Sequence, residues 1–169
     1  MMVPGYFLAL SRRHVDAVAD LDADEIADTY SWVSRLTQTW ERWFGEYMVV
    51  EHGSCPGVKT GSCITHAHLH LVPLARTLAP TLLASRDVTW REISGPRALG
   101  SFKGSGYVSL QTSDGLWASS DICLPSQWLR QQIAEKLQLE VWDWALEPGL
   151  AQLGATLDRF SSEEISRCA

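Results

Sequence analysis

The chain has 169 residues, 46% of them hydrophobic and 20% charged, which is enough to bury one core and too apolar for a disordered segment. Its 14 Lys and Arg against 20 Asp and Glu leave a net charge of −6, which excludes recruitment of a nucleic-acid polymer or an anionic membrane by a global basic field. No run approaches the roughly 20 apolar residues of a membrane-spanning helix. The four cysteines (Cys55, Cys63, Cys123 and Cys168) are scattered, a usage that fits reduced thiols and a cytoplasmic location.

In chain order, residues 5–11 (GYFLALS) read as a short buried strand followed by the basic corner Arg12-Arg13-His14. Asp22 with Glu25 three residues on is a capping-box pattern, and Ile26, Tyr30, Val33, Leu36, Trp40 and Trp43 then recur at helical spacing until Gly45. Residues 46–51 (EYMVVE) predict a central strand, 52–61 a Gly/Pro/Ser loop, and 64–72 (ITHAHLHLV) a strand that alternates strictly up to Pro73. A helix over 74–85 and a short strand over 88–93 follow. The Gly-rich FKGSG (102–106) leads into strands at 107–111 and 116–118, then a helix from Pro125 to about Leu137, a Trp-rich segment, and a last helix over 149–160. Strands joined directly to strands, with helices interspersed, predict an α+β fold with a mostly antiparallel sheet. Residues 1–86 form the core with the histidine strand, and 87–169 complete or extend the same domain.

The chemistry concentrates in 64–72. His66, His68 and His70 are separated by single residues, so the two-residue period of a strand places them on one face, while Ala67, Leu69 and Leu71 turn to the core. Three imidazoles on one face are costly as mere structure, because each buried ring needs a partner for its N–H. Two chemistries fit. Alternate histidines can ligate zinc, with Cys63 or His52 completing the site. Alternatively, a neutral imidazole attacks phosphorus while its far nitrogen is held as an N–H donor and its neighbours donate to phosphate oxygens. Spacing does not choose between them.

HAHLHLV (66–72) resembles the signature of the histidine triad (HIT) superfamily, with apolar residues at Ala67, Leu69, Leu71 and Val72. PGYFLALSRRHV (4–15) is similar to that family's segment in which a PGH strand precedes a further histidine, and the helix, the EYMVV strand and Gly61-Ser62 follow in the expected order. The similarity covers Pro4 to Pro73. It extends more weakly to a bacterial HIT-like branch through EHG (51–53), SQWLR (126–130) and WDW (142–144). The family's further strand ahead of PGH has no counterpart here, where the sequence starts two residues before Val3-Pro4 as Met1-Met2, so the resemblance implies an N-terminal strand missing and an exposed sheet edge.

The resemblance implies a HIT-like fold with a long helix on the sheet and a C-terminal helical extension. It also implies a hydrolase that cleaves a nucleotide phosphoanhydride, phosphoester or phosphoramidate through a covalent nucleotidyl-histidine. By position, His68 is the nucleophile, His66 and His70 hold the phosphate, and His14 supports the row through His66. Gly61 and Ser62 offer a phosphate-binding loop, and Cys63 stands where relatives place a Ser or Thr near the leaving group. His52, Lys59, Gln127 and Arg130 are further candidates for nucleotide or phosphate contacts. The mechanism requires no metal and no cofactor. The partner is a small nucleotide rather than a nucleic-acid polymer or a membrane, and a homodimer is the family expectation. Nucleotidyl transfer or phosphorolysis, and a non-catalytic nucleotide- or zinc-binding module, are the alternatives. Trp142 and Trp144 read as anchors of the C-terminal segment, and Trp32 as core or dimer face.

Overall fold

The structure is a computed structural model that describes residues 2–53, 66–120, 122 and 124–167, with side chains described up to 161. Among these residues the strands are β1 (Phe7–Leu10), β2 (Met48–His52), β3 (His68–Val72), β4 (Arg91–Glu92), β5 (Tyr107–Thr112) and β6 (Gly115–Ser120). The helices are α1 (Ala23–Phe44), α2 (Ala75–Leu83), α3 (Trp128–Leu137) and α4 (Leu150–Arg167), with short 3-10 turns at Val18–Asp20 and Pro96–Phe102. The strands form one sheet in the order β1-β3-β2-β5-β6-β4, and every neighbouring pair is antiparallel. The fold is therefore α+β with a long helix laid on an antiparallel sheet, as the sequence predicts, and is consistent with a HIT-like architecture.

Local chemistry sets these elements. Asp22 caps α1 by accepting from the backbone N–H groups of Asp24 and Glu25, and Glu25 closes the box by accepting from Asp22 N–H at 3.1 Å. Gly45, at φ 85°, ends the helix in a conformation that L side chains resist. Ile26, Tyr30 and Val33 of α1 pack with Val49, Leu69, Leu71, Tyr107 and Ala118 on one sheet face. The opposite face carries Met48, Val50, Val72, Val108 and Leu110 beneath α2 and α3, through Leu78, Leu82, Leu129 and Ile133. β2, β3 and β5 are thus covered on both faces along much of their length, which is why their residues read as apolar runs.

Four elements differ from the sequence expectation. Residues 54–65 lie outside the described residues, and β3 begins at His68, with His66 and Ala67 paired instead to the chain leaving β1: Ser11 N–H donates to the Ala67 carbonyl and Ala67 N–H to the Val15 carbonyl. The strand expected over 88–93 is reduced to Arg91–Glu92 at the sheet edge, beside Trp117 and Ala118 of β6. The 3-10 turn over 96–102 has no helical periodicity to announce it. α4 runs on to Arg167. It docks through Thr156, whose hydroxyl accepts from Gly5 N–H at 2.9 Å, and through Phe160, which packs among Phe7, Trp40, Trp43 and Phe44.

Candidate functional site

Period two along β3 separates Leu69 and Leu71, buried against α1, from His68, His70 and Val72 on the other face. Val72 sits under α2. The two histidines lie at the open margin of that face, half-buried, with ring centroids 4.8 Å apart at 67°. Leu8 and Leu10 of β1 stand directly across from His70 and His68, and are 43% and 54% exposed. On the other flank β2 brings Val50 opposite His70 and carries His52 two residues further on the same face. The site is a short row of imidazoles with an apolar shelf on one side.

Hydrogen bonding gives each ring a distinct protonation pattern. His68 Nδ1 lies 2.8 Å from the His66 carbonyl oxygen, an acceptor that requires Nδ1–H. In the neutral ring Nε2 then carries the lone pair. His66 Nε2 donates to the Ser11 carbonyl at 2.6 Å, so its Nδ1 is the acceptor for His14 Nδ1–H at 3.1 Å. The expected link between His14 and His66 is present, and both ring nitrogens of His66 are engaged with protein. What His66 offers the site is its main-chain carbonyl, which orients His68. His70 Nδ1 is 2.7 Å from the Tyr6 hydroxyl.

The electrostatics favour neutral rings. Burial lowers the His68 pKa, its hydrogen bond to the His66 carbonyl opposes the shift, and the neighbouring His66 imidazole, which repels a second positive charge, adds to it. His70 is pushed well below its usual value by burial and then by His68, His52 and Arg130. His52 is lowered by burial and by His68, against a hydrogen bond with the Leu124 backbone. At pH 7 these imidazoles have free bases to offer.

The arm that carries His14 is fastened from beneath the sheet. Glu51, 1% exposed, points to the α1 face, where one carboxyl oxygen accepts from Val18 N–H at 2.6 Å and the other from the Tyr107 hydroxyl. Tyr107 in turn accepts from Ala19 N–H at 3.1 Å. Burial pushes the Glu51 carboxyl up to about 7, opposed by these hydrogen bonds. Gly53 follows in close contact, because a side chain there would run into the Tyr107 ring. The EHG triplet therefore alternates a clamp below the sheet, an imidazole above it, and a glycine that allows the chain past Tyr107.

The remaining sequence candidates fall in two groups. Gly61, Ser62, Cys63 and Lys59 lie outside the described residues. Gln127 and Arg130 are turned toward the C-terminal segment. The Gln127 amide donates to Asp143 at 3.1 Å and accepts from Trp144 N–H at 3.2 Å, and Arg130 Nε donates to the Trp142 carbonyl at 2.6 Å. Arg130 still acts on the site at a distance, since its charge helps keep His70 neutral. Trp32 and Trp144 are about half exposed, at 50% and 51%, while Trp142 packs against the α2/α3 core. Among the described residues no group of three His, Cys, Asp or Glu side chains is arranged to hold a metal ion, and no helix is long and apolar enough to cross a membrane.

Sequence reasoning missed Tyr6 and Glu51. Tyr6 was legible as lying on the histidine side, two residues from Leu8 on the same strand segment. Glu51 was legible as the charged residue in phase with Tyr47 and Val49, both of which are buried.

The architecture and site together define an α+β protein with a histidine cluster on the open face of an antiparallel sheet. No protein-family model matches the chain. It is similar to the bis(5'-nucleosyl)-tetraphosphatase (asymmetrical) of Schizosaccharomyces pombe, at 29% identity over 72 residues, which is 43% of this chain and 39% of that protein. The match therefore spans well under half of the curated relative.

Proposed function

We propose that the protein is a histidine-triad-type hydrolase of nucleotide phosphoanhydrides, with His68 as the nucleophile. The observation that carries this reading is the hydrogen bond from His68 Nδ1 to the His66 carbonyl, which leaves Nε2 as a lone pair on the open face. The similarity to a dinucleoside tetraphosphatase supports a nucleotide hydrolase and makes a dinucleoside tetraphosphate the first substrate to test.

In this scheme His68 Nε2 forms a bond to the phosphorus that bears the nucleoside, and the bridging P–O bond breaks, its electron pair leaving with the remaining phosphate chain. Nδ1–H stays on the His66 carbonyl throughout and disperses the positive charge the ring acquires. Water then attacks the same phosphorus, the P–N bond returns its electrons to Nε2, and the proton of the water passes to solvent. His70 donates to the phosphoryl oxygens. His14 and His66 keep the His66 carbonyl in place, and Arg130 adds positive potential beside His70. Leu8 and Leu10 offer an apolar surface next to the reacting centre, suited to the nucleoside rather than to phosphate.

Rapid-quench intact mass spectrometry after mixing with diadenosine tetraphosphate tests this directly. Wild type gains one adenylyl mass that chases away in water. His68→Gln gains none, and its turnover falls by at least about 10³-fold. Equal turnover by wild type and His68→Gln would overturn the proposal.

A further inference from the structure

His68 and His70 are neighbours on one strand face, yet their Nδ1 atoms meet opposite partners. The partner of His68 is a carbonyl, which accepts only. The partner of His70 is a phenol, which can do either. The Tyr6 hydroxyl is placed by its own surroundings: the residue is 6% exposed, follows Gly5 at φ 79°, and packs in the core beneath α2 and α3. Gly5 is held at both ends, its N–H by Thr156 and its carbonyl by the Tyr47 hydroxyl at 2.8 Å. A side chain at Gly5 would also collide with the Phe44 ring. Tyr6 is therefore delivered to His70 by fixed backbone.

We propose that Tyr6 sets the tautomer of His70: its hydroxyl donates to Nδ1, so that the neutral ring presents Nε2–H as a donor on the open face. The reverse direction, Nδ1–H donating to the phenol oxygen, leaves a buried hydroxyl proton without an acceptor among the described residues, a condition that folded proteins avoid. Donation by Tyr6 satisfies both groups at once. Two further facts agree. Burial raises the Tyr6 pKa, which keeps the phenol protonated. His70 is held neutral by burial and by the surrounding His68, His52 and Arg130, so it has a tautomer to set.

The consequence is a division of labour within one strand. His68 carries its proton at Nδ1 and a lone pair at Nε2, which makes it a base and nucleophile. His70 carries its proton at Nε2, which makes it a hydrogen-bond donor to an anion. Tyr6 acts through His70 and does not itself touch substrate, so it is a positioning residue. The assignment rests on the proposed reading of His68 and His70 as the reacting pair only for its effect on rate. The tautomers themselves are properties of the free protein.

Imidazole nitrogen NMR on the free protein, using long-range proton–nitrogen correlations, reads the tautomers without any substrate. Wild type shows the Nδ1–H pattern for His68 and the Nε2–H pattern for His70. Tyr6→Phe removes the hydrogen-bond shift at His70 Nδ1 and raises the His70 pKa, because the neutral ring loses its donor. With diadenosine tetraphosphate, Tyr6→Phe lowers kcat by about 10- to 100-fold with KM changed by no more than about threefold. Tyr47→Phe is the control for simple loosening of this segment: it removes the hydroxyl from the Gly5 carbonyl but keeps the Tyr6 hydroxyl, and His70 retains its Nε2–H pattern. An Nδ1–H pattern for His70 in wild type overturns the proposal, as does a Tyr6→Phe variant with unaltered kcat and His70 shifts. If the tautomers are as stated while His68→Gln hydrolyses substrate normally, the reading of His68 as nucleophile falls and the tautomer assignment stands.

Discussion

Glu51 and His52 are consecutive residues of one strand, and the pleat sends them to opposite faces of the same sheet. Below, toward α1, Glu51 is closed into a network in which both carboxyl oxygens and the Tyr107 hydroxyl are satisfied, and Tyr30 meets Ser109 nearby at 3.2 Å. Gln111 Oε1, on that face, is an exception without a partner among the described residues. Above, His52, His68 and His70 are each held through one contact, and the structure gives their remaining ring nitrogens no protein partner among the described residues. The lower face uses polarity to fix backbone. The upper face uses it to leave selected atoms available, and only available atoms can react.

The most severe way to break that contrast is to remove the available atom itself. His68→Gln loses at least about 10³-fold in turnover, as argued above, while its melting temperature stays close to wild type because the ring is half-buried at an open margin.

The two faces also respond to pH with opposite sign. Glu51 has a folded pKa of about 7 against an ordinary value of 4.5, so the folded state binds more protons than the unfolded state between these values. Stability from this group is full below pH 4.5 and falls by about 3 kcal/mol as pH rises to about 7. His52, His68 and His70 have depressed folded pKa values, so the unfolded state binds more protons and stability rises with pH until their ordinary value of 6.5 is passed. Each unfolded histidine is still about half protonated at pH 6.5, so the two slopes overlap, and the Glu51 contribution is read as a difference between variants. Urea denaturation therefore shows the stability of wild type relative to Glu51→Gln shrinking as pH rises from about 5 to about 7.5. A difference between the two that stays constant over that range contradicts the assignment.

The smallest effect is expected at the rim. His14 is exposed and, among the described residues, touches the site through His66. His14→Ala lowers kcat by about 10-fold, through a looser His66 carbonyl, with a shift in melting temperature below about 2 °C. A loss as large as that of His68→Gln would instead make His14 a direct participant.

Much of this was legible in the sequence, for physical reasons that also mark the limit. α1 was readable because its cap, apolar period and terminal glycine all act within a few residues. β2, β5 and β6 were readable because burial on one or both faces is written as alternation or as a continuous apolar run; β1 was readable as a strand but not as a buried one, since it lies at the sheet edge with Leu8 and Leu10 exposed. His66 as a strand residue was not correctly readable. Its departure from β3 is decided by Ser11 and Val15, more than 50 positions away in the chain. The same holds for Tyr6, which meets His70 across 64 positions, and for Gln127 and Arg130, whose hydrogen bonds go to a segment with no periodicity to place it. The sequence marks which groups carry chemistry; which nitrogen of a ring is free is set by tertiary contacts.

The position of β2 has a further consequence for how the site comes into being. It is hydrogen-bonded to β3 on one side and to β5 on the other, with Val50 facing Leu110 and His52 facing Val108. Joining it to β5 closes a loop of more than 50 residues, a slow event compared with local helix or hairpin formation. A nascent chain that has emerged only as far as α2 already contains all five histidines. The strand bearing His52 would still lack one neighbour, and α3, which carries Arg130, would not yet have been made. The strands of the histidine row are thus written early in synthesis, and the flank formed by β5 and α3 is added only by the second half of the chain.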